Sequence, residues 1–346
     1  MSTTIFYIGT YTQMLSPNLG GNGPGIYTIA LNNYTGALTI LHTTSITNAG
    51  YLVRNQQYLY SVVEVLPEQN PKVVAFQIHP KGRLQKINQQ SINGSLPCHI
   101  NYAHQSILVA CYGSGSVHRF PVNSSGCILP QSQQFNHQGS SSNKERQEAP
   151  HAHQIAIHPN QQDVLVPDLG IDTLKSYHIQ KDQLLSNPTK DIAIPNGYGP
   201  RHLVFHPNGT KAYLINELTA QVTTLSQEKH QFVAKHHQPS LPKTFKQTPS
   251  ASAIRHHPTL PFLYVANRTL EAITIYYTQQ DQLVFVDHLL LNGKTVREFN
   301  ITPNGSWLIA CLHDSNDVYV FRILANGMLQ QTYHTNQILA PVCVCF

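Results

Sequence analysis

Residues 199–218 read GPRHLVFHPNGTKAYLINEL. In this stretch a short apolar segment is followed by a His-Pro-Asn-Gly turn and then by a longer apolar run. Proline presets φ at the first position of a turn, and glycine adopts the left-handed conformation that such a turn often needs. The stretch therefore predicts an antiparallel strand–turn–strand hairpin.

The longer apolar run of this hairpin recurs along the chain, with starts 45 to 57 residues apart. Its copies are FYIGTYT (6–12), YLYSVVE (58–64), ILVACYG (107–113), VLVPDLG (164–170), AYLINEL (212–218), FLYVANR (262–268) and WLIACLH (307–313). A period of roughly 50 residues in a sequence without long helical patterns indicates a β-propeller. We expect an all-β, seven-bladed β-propeller in which residues 1–346 form a single domain.

A shorter strand precedes the turn of each hairpin, and its seventh copy, APVCVCF (340–346), has no turn or partner run after it. We expect this segment to pair with FYIGTYT (6–12), so that strands from the two ends form one blade. The ring would then close without a free sheet edge. The polar stretch 131–149 is the one long insertion, and we expect an exposed loop there that could cover one face of the ring.

The composition disfavours several classes of function. Hydrophobic residues make up 41% of the 346 residues and charged residues 11%, with a formal charge of +5. The lysines and arginines form no run of five or more, which disfavours nucleic-acid binding, and no segment approaches the roughly 18 apolar residues of a membrane span. The N-terminal MSTTIFYIGTYT reads as a strand rather than as a signal peptide. We expect no nucleic-acid partner, no membrane association, and a monomer or weak homodimer.

The cysteines show no CxxC spacing. They are Cys98, Cys111, Cys127, Cys311, Cys343 and Cys345. Most of them lie in apolar strands, and the last two point the same way from one strand, where bridging is rare. We therefore expect free buried thiols in a reducing compartment, which favours the cytoplasm.

Polar residues break the apolar pattern at two fixed distances from the turn proline. Six residues before it stand His153, Arg201, Ser252 and Arg297. Ten residues after it stand Leu169, Glu217, Arg268 and His313. In a hairpin centred on the turn these two positions lie opposite each other, which places Arg201 opposite Glu217 and Ser252 opposite Arg268.

Earlier repeats add residues to the same two columns. Glu64 aligns with Glu217 in the second column, and Cys98 and His99 fall nearest to the first. The innermost strand of a propeller blade and its neighbour line the central channel, so we expect these groups to converge at one mouth. Histidine can transfer protons near its unperturbed pKa, and arginine binds carboxylate or phosphate. The pattern is typical of a small-molecule site.

Structural interpretations of the same residues stay open. His151 and His153 lie two apart on a predicted strand, but no third ligand for a metal can be placed, so we expect no metal. Arg201 and Glu217 could form an ion pair that only rigidifies the rim. We expect His202 to point to the opposite strand face and to pack between blades.

Several segments occur in a characteristic order along the chain. They are PHAHQIAIHP with VPDLGID, GYGPRHLVFHPNG with YLINEL, FLYVANR with AITIY, and VREFNITPNG. In this order they resemble the lactonase family of seven-bladed propellers, which includes bacterial 6-phosphogluconolactonases and fungal carboxymuconate cyclases. The resemblance covers nearly the whole chain, and GPRH followed by NEL is its most specific part. The chain departs from the family pattern at Ala253, Thr269 and Val296.

The resemblance implies a lactone hydrolase that opens 6-phosphogluconolactone or a related sugar lactone without a cofactor. The catalytic residues it implies are His153, Arg201, Glu217 and Arg268, with His153 or Glu217 as the base. Around them we expect substrate-binding side chains for a small anionic lactone, namely His151, Arg297, Ser252, Glu64, His99 and His313. The alternatives are a carboxymuconate-type lactonizing cyclase or isomerase on the same residues, and a non-catalytic propeller that binds protein or glycan through an apolar face.

Overall fold

The hairpin of residues 199–218 forms two antiparallel strands, Pro200–Phe205 and Lys211–Asn216. Its turn contains Gly209, whose φ of 74° is left-handed and free of strain only for glycine. The structure, a computed structural model, describes residues 2–17, 19–229, 231–279 and 282–346.

This hairpin belongs to one of seven antiparallel sheets that form the blades of a ring. The innermost strands of blades 1 to 7 are Pro341–Cys345, Leu52–Asn55, Pro97–Ala103, Ala156–Ile157, Pro200–Phe205, Ala251–His256 and Val296–Ile301. The second strands are Thr3–Thr10, Tyr58–Val63, Ser106–Cys111, Asp163–Asp168, Lys211–Asn216, Phe262–Asn267 and Trp307–Leu312. The third strands are Gly25–Asn32, Lys72–Ile78, Ser116–Pro121, Thr173–Gln180, Gln221–Glu228, Ala272–Tyr277 and Asp317–Ile323. The outer strands are Leu38–Ser45, Leu84–Ser91, Gln133–Asn136, Gln183–Ser186, Gln231–Pro239, Val284–Leu290 and Leu329–Thr335.

The predicted seven-bladed β-propeller is confirmed. Blade 4 carries a fifth strand, Ile192–Ala193, which pairs with its third strand. Four short 3₁₀ helices complete the secondary structure of the described residues. They are Pro67–Gln69, Pro80–Gly82, Leu169–Ile171 and Pro188–Lys190.

Blade 1 is built from both ends of the described chain, as predicted. The innermost strand Pro341–Cys345 pairs antiparallel with Thr3–Thr10, and Val344 lies opposite Ile8. Met1, the first residue of the predicted N-terminal strand, lies outside the described residues. The ring is therefore closed by main-chain hydrogen bonds between two distant segments of the chain.

Apolar side chains fill the interfaces between neighbouring blades, so the core is a ring of separate clusters. The cluster between blades 7 and 1, for example, contains Trp307, Phe6 and Val344, each almost fully buried. Burial of such side chains stabilises a fold by about 1.5–3 kcal/mol each. Each cluster takes residues from two blades, so every blade is held by its neighbours and the channel wall between them is rigid.

A β-bulge interrupts the pairing at the start of the innermost strand in blades 1, 3, 5, 6 and 7. The residues at these bulges are Val342, Cys98, Arg201, Ser252 with Ala253, and Arg297. The predicted register was wrong for this reason: Pro200 pairs with Asn216, so Arg201 does not lie opposite Glu217. Ser252 likewise does not lie opposite Arg268. A bulge bends its strand and re-aims the unpaired side chain, and here it does so repeatedly at one position of the blade.

Blade 4 departs most from the repeat. Its innermost strand is only Ala156–Ile157, and the preceding residues make a single bridge to Asp168. His151 and His153 are therefore not on a regular strand, contrary to the prediction. The physical reason is a side-chain contact: the Asp168 carboxylate accepts a hydrogen bond from the His151 main-chain N–H at 2.7 Å, in place of a ladder bond.

The polar stretch 131–149 is only partly the exposed loop that the sequence predicts. Gln133–Asn136 forms the outer strand of blade 3. The residues that follow, 137–149, run without regular strands towards blade 4, and we call them the rim strap. Gln147 within the rim strap is fully buried, so the segment is packed against the ring.

The predicted free thiols are confirmed. All six cysteines are unpaired, four of them are buried, and Cys98 and Cys127 are half-buried. Within the described ranges, no helix has the length and apolar character that a membrane crossing requires.

Candidate active site

Arginines meet a buried carboxylate at one mouth of the channel, where the innermost strands of blades 5 and 6 begin. Glu217 Oε2 accepts a hydrogen bond from Arg201 Nε at 3.0 Å and forms an ion pair with Arg268 Nη2 at 2.9 Å, which donates to the Ala251 carbonyl at 3.1 Å. Arg201 also donates through Nη1 to the main-chain carbonyl of Ser252 in the next blade. The bulge thus brings the Arg201 and Glu217 side chains together although the ladder does not pair them.

A third guanidinium reaches the same carboxylate from the rim strap. Arg146 Nη2 donates to Glu217 Oε1 at 2.6 Å and lies 3.4 Å from the Tyr112 hydroxyl. The Arg146 side chain is 41% exposed, whereas that of Glu217 is 5% exposed. Arg146 therefore closes the cluster on its solvent side.

The three guanidiniums determine the charge of Glu217. Burial alone would raise the pKa of this carboxyl, but Arg268, Arg146 and Arg201 outweigh burial and hold the pKa below its ordinary value. Both oxygens are also occupied as hydrogen-bond acceptors. Glu217 is thus a poor proton acceptor, which argues against it as the base and favours a role in positioning the arginines.

A second carboxylate, Glu64, lies in a different electrostatic setting. Its Oε2 accepts a hydrogen bond from the Tyr11 hydroxyl at 2.9 Å, and Arg297 Nη2 donates to the same hydroxyl at 2.7 Å. Burial raises the pKa of Glu64 above its ordinary value, although Arg297 and Tyr11 oppose this. The main chain of Gly50 packs so closely that a Cβ there would lie 2.0 Å from Glu64 Oε2. Glu64, Tyr11 and Arg297 form a fixed polar group beside the cluster.

His153 is buried near both groups. Its ring makes an edge contact with Tyr112 at a centroid distance of 5.5 Å, and its Nδ1 lies 3.9 Å from Cys98 Sγ. Burial and, after it, the positive charge of Arg201 hold the pKa of His153 well below its ordinary value. Burial thus favours the neutral form of the His153 imidazole, whereas the sequence analysis expected a histidine near its unperturbed pKa.

His151 lies beside His153 and shares its aromatic neighbour. The His151 ring stacks on Tyr112 at 4.3 Å, and its Nδ1 lies 2.9 Å from the Tyr112 carbonyl oxygen. Its Nε2 is 3.2 Å from Glu148 Oε1 in the rim strap. These contacts tie His151 to the strap rather than to the centre of the channel.

Three histidine rings from blades 3, 4 and 5 meet deeper in the channel. The ring centroids of His202 and His153 are 5.3 Å apart, and those of His202 and His99 are 5.7 Å apart. His202 is therefore at the channel axis, and the prediction that it packs between blades was wrong, because the bulge at Arg201 reverses the alternation of side chains. Burial holds the pKa of His99 and His202 well below the ordinary value. His202 Nδ1 is buried and has no hydrogen-bond partner among the described residues.

A cavity of about 470 Å³ lies on the far side of these rings, lined by later residues of the innermost strands of blades 2 to 6. Its polar lining includes Tyr51, His99 and Arg255. Arg255 Nη2 is held by Glu298 at 2.9 Å and by the Tyr51 hydroxyl at 3.0 Å. The histidines thus separate the arginine-rich mouth from this second opening.

Ser252 and His313, which are predicted to bind substrate, make hydrogen bonds within the protein. The Ser252 hydroxyl is fully buried and donates to the Val296 carbonyl at 2.7 Å, so it joins blade 6 to blade 7. His313 Nε2 lies 2.8 Å from the Gly20 carbonyl oxygen, and its ring makes an edge contact with Tyr11. His313 therefore supports the group formed by Tyr11, Glu64 and Arg297.

The mouth is positively charged. Arg146, Arg201, Arg268 and Arg297 face Glu64 and Glu217, so guanidiniums outnumber carboxylates there. Arg268 Nε is buried and unpaired among the described residues, a costly state for a donor and one that is often found at ligand sites. The described ranges hold no group of three or more His, Cys, Asp or Glu side chains arranged to bind a metal ion. The arrangement can bind an anion, stabilise a developing oxyanion and accept a proton.

Sequence reasoning missed Arg146, Tyr11 and Tyr112. Arg146 lies outside the repeat, so no column contains it, and nothing in the polar insertion distinguishes it from the neighbouring Lys144. Tyr11 and Tyr112 stand near the ends of two recurring runs, FYIGTYT and ILVACYG. A tyrosine at the end of such a run is typical of a buried core residue. Only the three-dimensional contacts show that Tyr11 and Tyr112 lie at the mouth of the channel.

Known proteins are similar to this one along nearly its whole length. A family model described as "Lactonase, 7-bladed beta-propeller" matches residues 5–346. The 6-phosphogluconolactonase of Bacillus subtilis is 32% identical, over 100% of this chain and 99% of its own length. Among solved structures, one from Bacteroides fragilis has a TM-score of 0.91 at 30% identity and covers 99% of this chain and 97% of its own. The periplasmic gluconolactonase of Pseudomonas aeruginosa also has a TM-score of 0.91, at 25% identity over 99% of this chain and 98% of its own.

Proposed function

Because the chain belongs to the lactonase family of seven-bladed β-propellers, we propose that it hydrolyses a sugar lactone, with 6-phosphogluconolactone as the first candidate. The observation that carries the proposal is a buried histidine beside a cluster of arginines held by one carboxylate. The names of two similar proteins, a 6-phosphogluconolactonase and a gluconolactonase, support this class of substrate.

Lactone hydrolysis needs a base for water, a donor set for the oxyanion and a proton for the leaving oxygen. In the proposed reaction, His153 accepts a proton as water attacks the lactone carbonyl carbon. The negative charge that develops on the carbonyl oxygen is stabilised by Arg201 and Arg268. The ring C–O bond then breaks, His153 returns the proton to the leaving oxygen, and the product is an open-chain hydroxy acid. Each positioned acid–base group contributes roughly 10²- to 10⁴-fold to such a rate.

The other charged residues have supporting roles in this scheme. Glu217 positions Arg201 and Arg268 and neutralises part of their mutual repulsion. Glu64 and Arg297, joined through Tyr11, would bind hydroxyl groups of the sugar. A non-catalytic propeller would instead present a dry, apolar mouth, and the charged mouth described above disfavours that alternative.

The test is the release of acid from freshly prepared lactones, followed with a pH indicator against the spontaneous rate in buffer. We expect acceleration of 6-phosphogluconolactone and, more weakly, of unphosphorylated gluconolactone. His153→Gln should lower kcat by at least 100-fold, while His178→Gln, at an exposed histidine of the same blade, should leave it unchanged. Absence of acceleration with every lactone would refute the function, and unchanged rates for His153→Gln would remove that residue from the mechanism. Product identification separates hydrolysis from a cyclase, which consumes no water.

We also propose that the protein acts in the cytoplasm, since six free cysteines suit a reducing compartment. Fractionation of the source cells, with marker enzymes for each compartment, tests this. A monomer or weak homodimer remains the expected assembly, and sedimentation velocity at several concentrations measures it.

A further inference from the structure

The rim strap, residues 137–149, is anchored to blade 4. His137 Nδ1 lies 2.6 Å from Asp168 Oδ2, and its Nε2 is 2.7 Å from the Tyr177 hydroxyl. The Ser141 hydroxyl donates to Asp172 at 2.6 Å. Both aspartates are buried. These contacts fix the first half of the strap to the ring.

A tight turn at residues 143–147 fixes the second half. Asn143 Oδ1 accepts from the main-chain N–H groups of Glu145 and Arg146 at 3.1 and 3.2 Å. The Gln147 N–H donates to the Asn143 carbonyl at 2.7 Å, and its buried side chain donates to the Leu169 carbonyl at 2.9 Å. The main chain at Arg146 is therefore positioned before any ligand arrives.

Arg146 presents only part of its guanidinium to the cluster. Nη2 makes the contacts to Glu217 and Tyr112, while Nε and Nη1 hydrogen-bond none of the described residues. The side chain is 41% exposed, against 4% for Arg201 and 16% for Arg268. Among the arginines bound to Glu217, Arg146 is thus the one with room for a further anion. The nearby Glu148 carboxylate is turned to His151.

A phosphate monoester is the anion that these charges fit. It carries about −1.5 to −2 charges at pH 7 and offers three acceptor oxygens, and arginine binds such groups with two parallel hydrogen bonds. The buried Arg201 lies within electrostatic range of His153, where the lactone carbonyl would react. The phosphate of a sugar lactone, at the end of the molecule remote from that carbonyl, would then reach the outer rim.

We infer that Arg146 is the residue that binds the phosphate of the substrate and makes the enzyme prefer a phosphorylated lactone over the unphosphorylated one. The inference rests on the proposed function and adds to it a residue outside the repeat. Phosphate binding far from the reacting carbonyl contributes equally to the ground state and the transition state. Its loss raises KM and leaves kcat nearly unchanged.

The experiment compares wild type and Arg146→Gln on 6-phosphogluconolactone and on gluconolactone. With the phosphorylated lactone we expect KM to rise by about 10- to 100-fold, because one or two charged hydrogen bonds are lost. The value of kcat should stay within about threefold of wild type. With gluconolactone, which has no phosphate, kcat/KM should fall by at least about tenfold less than with the phosphorylated lactone. Lys144→Gln removes the same charge from an exposed position of the same strap and should change neither substrate's constants.

The outcomes separate the two proposals. If the wild type hydrolyses neither lactone, the proposed function fails. If it hydrolyses lactones but Arg146→Gln lowers both activities equally or not at all, the function stands and the role of Arg146 is refuted. A wild-type enzyme without preference for the phosphorylated lactone also refutes it.

A second variant and a second measurement cover the case in which Arg146→Gln fails to fold. Arg146→Lys keeps the charge but loses the planar donor pair, so it should retain part of the preference. Competitive inhibition by 6-phosphogluconate, compared with gluconate, measures phosphate binding without turnover. For wild type 6-phosphogluconate should inhibit at least tenfold more strongly, and in Arg146→Lys this ratio should shrink. An unchanged ratio contradicts the inference.

Discussion

At the scale of single residues, Glu217 holds together the arginines at the mouth of the channel. One buried carboxylate holds Arg146, Arg201 and Arg268, and each of them would repel the others without it. A charge in such a position cannot be removed alone, because its partners stay buried and unpaired.

Glu217→Gln should therefore lower both stability and activity. Gln keeps the shape but leaves Arg201 and Arg268 without a counter-charge, and we expect a loss of about 3 kcal/mol in the free energy of unfolding and of at least 100-fold in kcat/KM. Urea denaturation and lactone kinetics measure the two effects. The matched control is Glu228→Gln, at an exposed ion pair with Lys235, which should cost less than about 1 kcal/mol. Equal effects of the two substitutions would show that Glu217 does not hold the arginines.

His153 sets the pH dependence of the reaction. Because burial and Arg201 hold its pKa well below 6.5, the imidazole stays neutral and able to accept a proton when the pH falls below 6.5. We expect kcat/KM for unphosphorylated gluconolactone to show no acid limb near pH 6.5 and to fall only at lower pH, since this constant reports the pKa of the free enzyme's base. A pH-stat, corrected for spontaneous hydrolysis, measures the profile. An acid limb centred near pH 6.5 would mean that the base is a solvent-exposed histidine.

At the scale of elements, the turn histidines join one blade to the next. His257 Nδ1 accepts the main-chain N–H groups of Thr259 and Leu260, and its Nε2 donates to the Gly305 carbonyl of blade 7 at 2.9 Å. His158 makes the same contact to Gly209 of blade 5 at 2.8 Å. Both turn histidines therefore join neighbouring blades through a main-chain carbonyl.

His257→Ala should destabilise the ring without changing the site. It removes hydrogen bonds at a buried turn and leaves the Gly305 carbonyl without its partner, so we expect a loss of about 2 kcal/mol with KM unchanged. Thermal and urea unfolding provide the measurement, and His79→Ala, at an exposed turn histidine of blade 2, is the control. Equal stability of the two variants would contradict a bridging role.

The repeat explains why strands were predictable and why details of the site were not. Alternation and turn residues recur in each blade, so the hairpin of residues 199–218 and its copies could be placed from the pattern alone. The bulges cannot be recognised in that pattern, because an extra residue such as Arg201 changes the pairing between two strands but not their amino-acid composition. His202 was assigned to the wrong face for this reason, and Arg146 could not be found because the rim strap has no copy elsewhere in the chain.

At the scale of the whole molecule, stability is shared around the ring. Each blade interface has its own apolar cluster, and blade 1 contributes to two of them, with Val344 on one side and Cys343 and Cys345 on the other. Opening one interface therefore exposes apolar surface on two blades at once.

Deletion of residues 341–346 should destabilise the entire ring. It removes the innermost strand of blade 1 and exposes the edge of Thr3–Thr10. It also removes several buried side chains from the two clusters, and we expect the free energy of unfolding to fall by roughly 5 kcal/mol. We expect a lower urea midpoint and binding of a hydrophobic dye. Val344→Thr, which buries an unpaired hydroxyl, is a milder test and should cost about 1–3 kcal/mol, whereas Val233→Thr on an exposed outer strand should not. A truncated protein as stable as the intact one would refute closure by these strands.

The split origin of blade 1 also bears on how the protein is made. Residues 341–345 are synthesised after every other strand of the described ring, yet they supply the strand nearest to the channel of the first blade. Until then the nascent chain is an open arc of blades with two unmatched apolar faces, and such surfaces aggregate readily. The open arc therefore persists until residues 341–345 are added, and only then can the strands around the mouth form a closed ring.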